Sequence, residues 1–143
     1  MSLPRVDVFF YGSYINLEVL KEVDLVPEAV EVACLPGHEI SIRPLANLAR
    51  TEGSTVYGVL TQATHAELER LYAHARDVLG AVYLPQAVTV WTRADRLAAA
   101  LCYIAPSIHP HTASSDYIDR ILGPARRYEF PERYIEHLES FRP

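Results

Sequence analysis

Two cysteines, one methionine, one tryptophan and six glycines are all that the 143 residues contain of those types. Cys34 and Cys102 each lie inside an apolar segment. Two such residues cannot staple a disulfide-rich scaffold, and without a cationic neighbour to favour a thiolate both are expected to be inert buried thiols. The glycines are scattered, so there is no glycine-rich phosphate loop, and no Gly-x-Ser-x-Gly nucleophile elbow is present. Positive charge is also scarce: 13 Lys and Arg against 18 Asp and Glu leave a net charge of −5. That balance excludes nucleic acid as an expected partner, because counterion release needs a positive surface. The longest mainly apolar stretch, Leu97 to Ala105, is too short to span a bilayer, so no membrane association is expected. The start, Met1-Ser2-Leu3-Pro4-Arg5-Val6-Asp7, lacks the charged and then apolar regions of a secretory leader. A cytoplasmic location is the expectation.

What remains is ordinary globular material, 50% hydrophobic and 22% charged. A chain of this size predicts a single domain over residues 1–143. Val6 to Tyr11 is rich in β-branched and aromatic residues and stops at Gly12-Ser13, which predicts a buried strand entering a tight turn. A short helix is expected over Asn16 to Val23. Glu28 to Leu35 reads as a strand closed by Pro36-Gly37, with Glu39 to Ile42 as its hairpin partner. Residues 43–53 read as a loop, and Ser54 to Thr61 as a strand in which Gly58 marks a bulge or a close backbone approach. Thr64-His65-Ala66-Glu67 fits the capping box, and Leu68, Leu71, Tyr72 and Ala75 fall at the spacing of one buried helix face. Gly80 ends that region. Val82 to Trp91 and Leu97 to Ile104 read as strands, Pro106 to Ser114 as a loop, and Asp116 to Leu122 as a short helix stopped by Gly123-Pro124. Pro131 opens a last helix to Phe141. The pattern predicts an α+β fold: a small, mixed, barrel-like sheet of six strands with flanking helices.

Few residues carry chemistry on spacing alone. The segment Tyr11-Gly12-Ser13-Tyr14-Ile15-Asn16 can turn successive N–H groups toward one anion, although any strand-to-turn junction favours Gly and Ser. His109 and His111 face the same way if extended, but a metal needs a third ligand, and only Asp116 is near. No metal and no cofactor are therefore expected. Arg120, Arg126 and Arg127 read as a solvated face. Nine tyrosines stand out, and Tyr11, Tyr83, Tyr103 and Tyr117 fall at strand ends or beside loops, where a phenol can pack its ring and offer its hydroxyl.

The order of segments is more telling. Phe9-Phe10-Tyr11-Gly12-Ser13, Val56-Tyr57-Gly58-Val59-Leu60, the helix with Leu68 and Leu71, Tyr83, Ser115-Asp116-Tyr117-Ile118, Gly123-Pro124-Ala125 and Phe130-Pro131-Glu132-Arg133-Tyr134 follow one another over nearly the whole chain. In that order they resemble the gamma-glutamylcyclotransferase-like family, which includes gamma-glutamylamine cyclotransferases and AIG2-type proteins. The resemblance implies a pocket beside the Tyr-Gly-Ser turn that binds a gamma-glutamyl compound. The substrate's own amine would attack its γ-carbonyl and release 5-oxoproline, helped by a carboxylate base of raised pKa and by oxyanion-binding amides. Carried onto this chain, Tyr11, Gly12, Ser13, Tyr14 and Ile15 form the binding turn, and Tyr83 and Tyr117 line the pocket. The family's usual Leu-Asp pair, with its catalytic Glu three residues beyond the Asp, does not recur. Counting from Leu71, Tyr72 replaces the Asp, Ala75 the Glu, and Arg76 the Gly that often follows it. Tyr14 stands where the family usually has Asn or Leu. Asp77 is the nearest acid and the one candidate for a relocated catalytic base, although on a continuous helix it points nearly opposite to Ala75. Two functions stay open: cyclotransfer on a gamma-glutamyl amine or amino acid, and non-catalytic binding or regulation through a small amino-acid-like anion. The expected partner is such a small molecule, with a homodimer as an open option.

Overall fold

The structure, a computed structural model, describes residues 3–143; Met1 and Ser2, the start of the segment read for a leader, lie outside the described residues. Five strands form the sheet: β1 (Arg5–Phe10), β2 (Val30–Ile42), β3 (Ala46–Thr64), β4 (Leu84–Thr92) and β5 (Leu97–Ile104). They close into a barrel in the order β1-β3-β2-β4-β5. All pairings are antiparallel except β1 with β5. The closure is narrow at two seams, with β1 meeting β5 at Val8 and Leu101, and β2 meeting β4 over Ala33–Thr92 and Cys34–Trp91. Four α-helices surround the sheet: α1 (Leu17–Lys21), α2 (His65–His74), α3 (Ser115–Arg127) and α4 (Glu132–Glu139). A 3₁₀ turn at Gly12–Ile15 follows β1, and a π-helical turn at Ala75–Leu79 extends α2. No helix of the described residues is long and apolar enough to cross a membrane.

The α+β class and the barrel-like sheet match the expectation, with five strands where six were expected. Pro36-Gly37 does not end a strand. It forms a bulge, with Gly37 at φ +76, after which β2 resumes pairing at His38 with Arg50. The expected loop over 43–53 shrinks to the turn at Arg43–Leu45, because β3 begins at Ala46. Asn47 holds that start in place. Its side-chain amide donates to the Ala105 carbonyl at 2.9 Å and accepts from the Ala105 N–H at 2.9 Å, imitating a strand neighbour. Gly58 serves the close approach that its position suggested: a Cβ there would collide with the Phe10 carbonyl and the Phe9 ring.

The capping box opening α2 is complete, Thr64 Oγ1 accepting from the Glu67 N–H at 3.1 Å while Glu67 accepts from the Thr64 N–H at 2.8 Å. Gly80, left-handed at φ 83, ends the π-helical turn. α3 runs through Gly123-Pro124 instead of stopping there. Pro124 has no N–H, so the Arg120 carbonyl four residues earlier loses its helical partner. Asn16 supplies it, donating from Nδ2 at 2.9 Å, while its Oδ1 caps α1 by accepting from the Glu18 N–H at 3.0 Å. One short side chain thus repairs a proline break and starts a second helix.

The core gathers Val8, Phe9 and Phe10 of β1, Val56 and Val59 of β3, and Leu68 and Leu71 of α2 with Ile118, Ile121 and Leu122 of α3. In β5 burial alternates residue by residue, with Ala98, Ala100, Cys102 and Ile104 buried, whereas β4 alternates only at its end, where Val90 and Thr92 are buried around an exposed Trp91 and Leu84 to Ala87 are all exposed. Burial pushes the Cys102 thiol up to about 12; Cys34, expected to be buried, is half-buried, and partial desolvation raises its thiol as well.

Candidate functional site

β1 delivers its last residues straight into the 3₁₀ turn. Gly12 adopts φ +62 and lies so close to Ala46 that a Cβ would collide with the alanine methyl, which explains glycine at this point of the turn. Ala46, the first residue of β3, is clasped by two phenols. Its N–H donates to Tyr117 Oη at 3.0 Å, and its carbonyl accepts from Tyr83 Oη at 2.6 Å. Tyr11 Oη donates to the Tyr103 carbonyl at 2.6 Å and so ties the turn to the end of β5. α3 positions Tyr117 in its first turn, where Ser114 Oγ accepts from the Tyr117 N–H at 3.1 Å.

These groups surround a cavity lined by Tyr11, Ser13, Tyr14, Leu45, Ala46, Tyr72, Leu79, Tyr83, Tyr103 and Tyr117. Six of the nine tyrosines converge there. Tyr11, Tyr83 and Tyr117 are anchored through their hydroxyls, whereas Tyr14 and Tyr72 are held by ring contacts. Tyr72 stacks on Tyr103 with centroids 3.9 Å apart and meets Tyr14 edge-on at 5.7 Å. Tyr14 in turn meets Phe10 edge-on at 6.0 Å. Such pairs add roughly 0.5–1.5 kcal/mol each beyond the area they bury. The cavity left between the rings is about 20 Å³, room for about one water.

Among the described residues, the lining contains no carboxylate, imidazole, amine or guanidinium. Its phenols stay neutral: desolvation raises Tyr11 and Tyr72 well above 10.0, and it raises Tyr14, Tyr83, Tyr103 and Tyr117 too. At Tyr117 the Ala46 N–H and the Ser13 hydroxyl work against that rise.

The structure brings Tyr11, Ser13, Tyr14, Tyr83 and Tyr117 to one cavity and places Gly12 in the turn behind it. Ile15 is buried, 1% exposed, among the core side chains rather than in the cavity lining. Ala75 is fully buried where α2 passes into the π-helical turn. Asp77 sits on that turn with an exposed side chain, outside the lining. Arg76 donates to it from Nε at 2.8 Å and from Nη2 at 3.1 Å, and that pair holds its carboxyl below the usual range. A general base needs the opposite shift. His109 and His111 meet edge-on at 5.0 Å, and no group of three His, Cys, Asp or Glu among the described residues could hold a metal.

Sequence reasoning did not place Tyr72, Leu79, Leu45 or Ala46 at the site. Tyr72 falls in register with Leu68, so its spacing gives it a core position and no more. Leu79 reaches the lining from the π-helical turn, whose wider winding no periodicity announces.

No protein-family profile matches the chain, and no curated protein matches it in sequence. Solved structures do match. A gamma-glutamyl cyclotransferase superposes with a TM-score of 0.77 at 20% identity, covering 96% of this chain and 88% of the other. An uncharacterized human protein gives 0.76 at 20% identity over 95% and 87%. A yeast gamma-glutamyl cyclotransferase described as specific to glutathione gives 0.61 at 14% identity over 96% and 95%. From β1 to α4, this chain has the fold of the gamma-glutamyl cyclotransferases.

Proposed function

We propose that this protein uses the gamma-glutamyl cyclotransferase-like fold to bind a small amino-acid-like compound at the Tyr11–Ile15 turn and does not catalyse cyclotransfer. The observation that carries the reading is the composition of the cavity wall, which has no acid, imidazole or amine to move a proton. Cyclotransfer needs a group that accepts a proton from the substrate's ammonium and returns it to the departing nitrogen. Neutral phenols with raised pKa values are too weakly acidic to ionise for that task near neutral pH. Cyclotransfer by Asp77 would require its carboxylate to leave Arg76 and reach inward from the surface.

The wall holds no cation either, so recognition of a carboxylate falls to the N–H groups of the turn. A cavity sized for a single water admits a larger ligand only when a ring moves. Tyr14 and Tyr72 are suited to that movement, because no hydroxyl bond anchors them as it anchors Tyr11, Tyr83 and Tyr117.

The test is release of 5-oxoproline, read by mass spectrometry, from a panel of gamma-glutamyl amino acids and amines. The unmodified protein, Ala75→Glu and the double variant Tyr72→Asp with Ala75→Glu would be compared, with thermal shift as a parallel readout of binding. The expected outcome is a ligand-dependent rise in Tm without turnover in the unmodified protein, and turnover only when the acid is supplied. Turnover by the unmodified protein would overturn the binding reading, and its loss in Asp77→Asn would assign the base. Absence of both turnover and thermal shift would overturn the ligand class.

A further inference from the structure

The seam between β2 and β4 closes at one end and opens at the other. Among the described residues its ladder consists of Ala33–Thr92 and Cys34–Trp91, after which β2 bulges at Gly37 and the strands part. Hydrogen bonds at the closed end fix which way each backbone points. The Arg93 N–H donates to the Val32 carbonyl of β2 at 2.9 Å, and the Thr92 N–H donates to the Arg96 carbonyl across the hairpin at 2.8 Å. Backbone direction alternates along a strand, so Trp91, Thr89 and Ala87 turn their N–H and carbonyl groups toward β2, and the even-numbered residues turn theirs toward β5. Trp91 meets Cys34 there. Ala87 and Thr89, both exposed, meet no strand on that side among the described residues. Pro85, which has no N–H, ends the open edge.

The groove between the parted strands measures about 470 Å³, with Leu35, His38, Arg50, Ala87, Val88 and Thr89 in its lining. His38 and Arg50 are cross-strand partners and so project from one face of the sheet. His38 is only 9% exposed. Its Nδ1 donates to the Pro36 carbonyl at 3.1 Å, which leaves Nε2 as the acceptor of the neutral ring. Nε2 makes no hydrogen bond, yet no sealed-off side-chain nitrogen among the described residues lacks a partner, so Nε2 opens on the groove. Arg50 is exposed and has no ion pair among the described residues, and the groove lining holds no carboxylate.

We propose that this seam takes up an extended peptide segment carrying an acidic side chain. The segment lies beside β4 as an added strand and exchanges hydrogen bonds with Ala87 and Thr89. Its carboxylate meets the Arg50 guanidinium, and one of its N–H or hydroxyl groups donates to His38 Nε2. Main-chain pairing supplies the affinity, and Arg50 selects the acid. A free small anion would use Arg50 but leave the edge at Ala87 and Thr89 unpaired, which favours a peptide as the occupant. From Gln86 to Val90 the open edge is roughly 17 Å long at about 3.4 Å per residue, room for about five residues of an added strand.

The probes are end-blocked peptides of about seven residues, the open edge plus one residue at each end. One set has Glu at the centre and the other Gln, with Val, Ile, Thr or Ser elsewhere, and retention on the immobilised full chain is read by mass spectrometry. The Glu set is expected to be retained about fivefold better than the Gln set, the worth of one exposed ion pair. Arg50→Gln should abolish that preference and leave retention of the Gln set unchanged. Ala87→Pro deletes a seam-facing N–H and should weaken both sets by about tenfold. The Ala87 N–H takes no part in the β4–β5 ladder, so this substitution repeats the situation of Pro85 and keeps the hairpin paired. Should Ala87→Pro fail to fold, peptides N-methylated at alternate residues read the same edge from the other side, and one of the two alternating patterns is expected to abolish retention. Retention of neither set, equal retention of both, a Glu preference that persists in Arg50→Gln, or retention that survives both methylation patterns overturns the proposal. The groove shares no lining residue with the tyrosine cavity, so these outcomes are separate from that of the binding reading.

Discussion

Beyond its bulge, β2 presents Glu39 and Ser41 to solvent, paired with Ala49 and Asn47 of β3, while β4 and β5 present Ala87, Trp91, Leu97 and Ala99. Facing inward, the two regions follow the same rule. Ile40, Ile42 and Leu48 are buried on one side, as Val90, Ala98 and Ala100 are on the other. The inward pattern is what folding requires, since it decides which face meets the core. The outward pattern is free of that demand, so the outer faces of the two regions can differ where their inner faces do not.

The most damaging change expected lies on the β1–β3 wall. Gly58→Ala would drive a methyl into the Phe10 carbonyl and the Phe9 ring, costing about 3 kcal/mol or more by chemical unfolding. Two neighbouring residues test the hairpin directly. Ala100→Lys places an unpaired ammonium on the inward face and should lower stability by about 3 kcal/mol. Ala99→Lys, one residue away and facing out, should fold within about 0.5 kcal/mol of the unmodified chain. Equal losses at the two sites would break the comparison.

A smaller loss, about 1–3 kcal/mol, is expected for Asn16→Ala, which strips the Arg120 carbonyl of its donor and α1 of its cap. The double variant with Pro124→Ala should recover part of it, because the restored N–H can meet Arg120 again. The phenols give the mildest effect per group. Their folded pKa values lie above 10.0, so their contribution is intact below that pH and is lost as pH rises toward the folded values. Each costs about 1.4 kcal/mol per pH unit above 10 as the unfolded chain ionises first. Absorbance at the phenolate band should therefore rise for the cavity tyrosines only as the chain unfolds.

Much of this architecture is legible in the sequence because it depends on local chemistry. β1, β5, the Thr64 capping box and the Gly80 stop all follow from residues within a few positions of one another. Misreadings arise where a distant partner overrides a local signal. Asn47 looks like a loop residue until Ala105 pairs with it from 58 positions away, and Gly123-Pro124 looks like a stop until Asn16 repairs the gap from 104 positions away. At the site, the family resemblance singles out Tyr11, Ser13, Tyr14, Tyr83 and Tyr117, whereas spacing gives Tyr72 only a place on a helix face. The winding that brings Leu79 to the lining and turns Asp77 toward Arg76 has no signature in the chain.

The bond from Tyr11 Oη to the Tyr103 carbonyl spans 92 positions, and β1 pairs with β5 at Val8 and Leu101. Contacts at such separation close long loops, which are expected to form slowly. The cavity is therefore a late product of folding and synthesis: a nascent chain that has reached β4 has the Tyr-Gly-Ser turn but no chamber around it. Anything that occupies the finished chamber would stabilise only the closed barrel and leave partly folded forms as exposed to proteolysis as before.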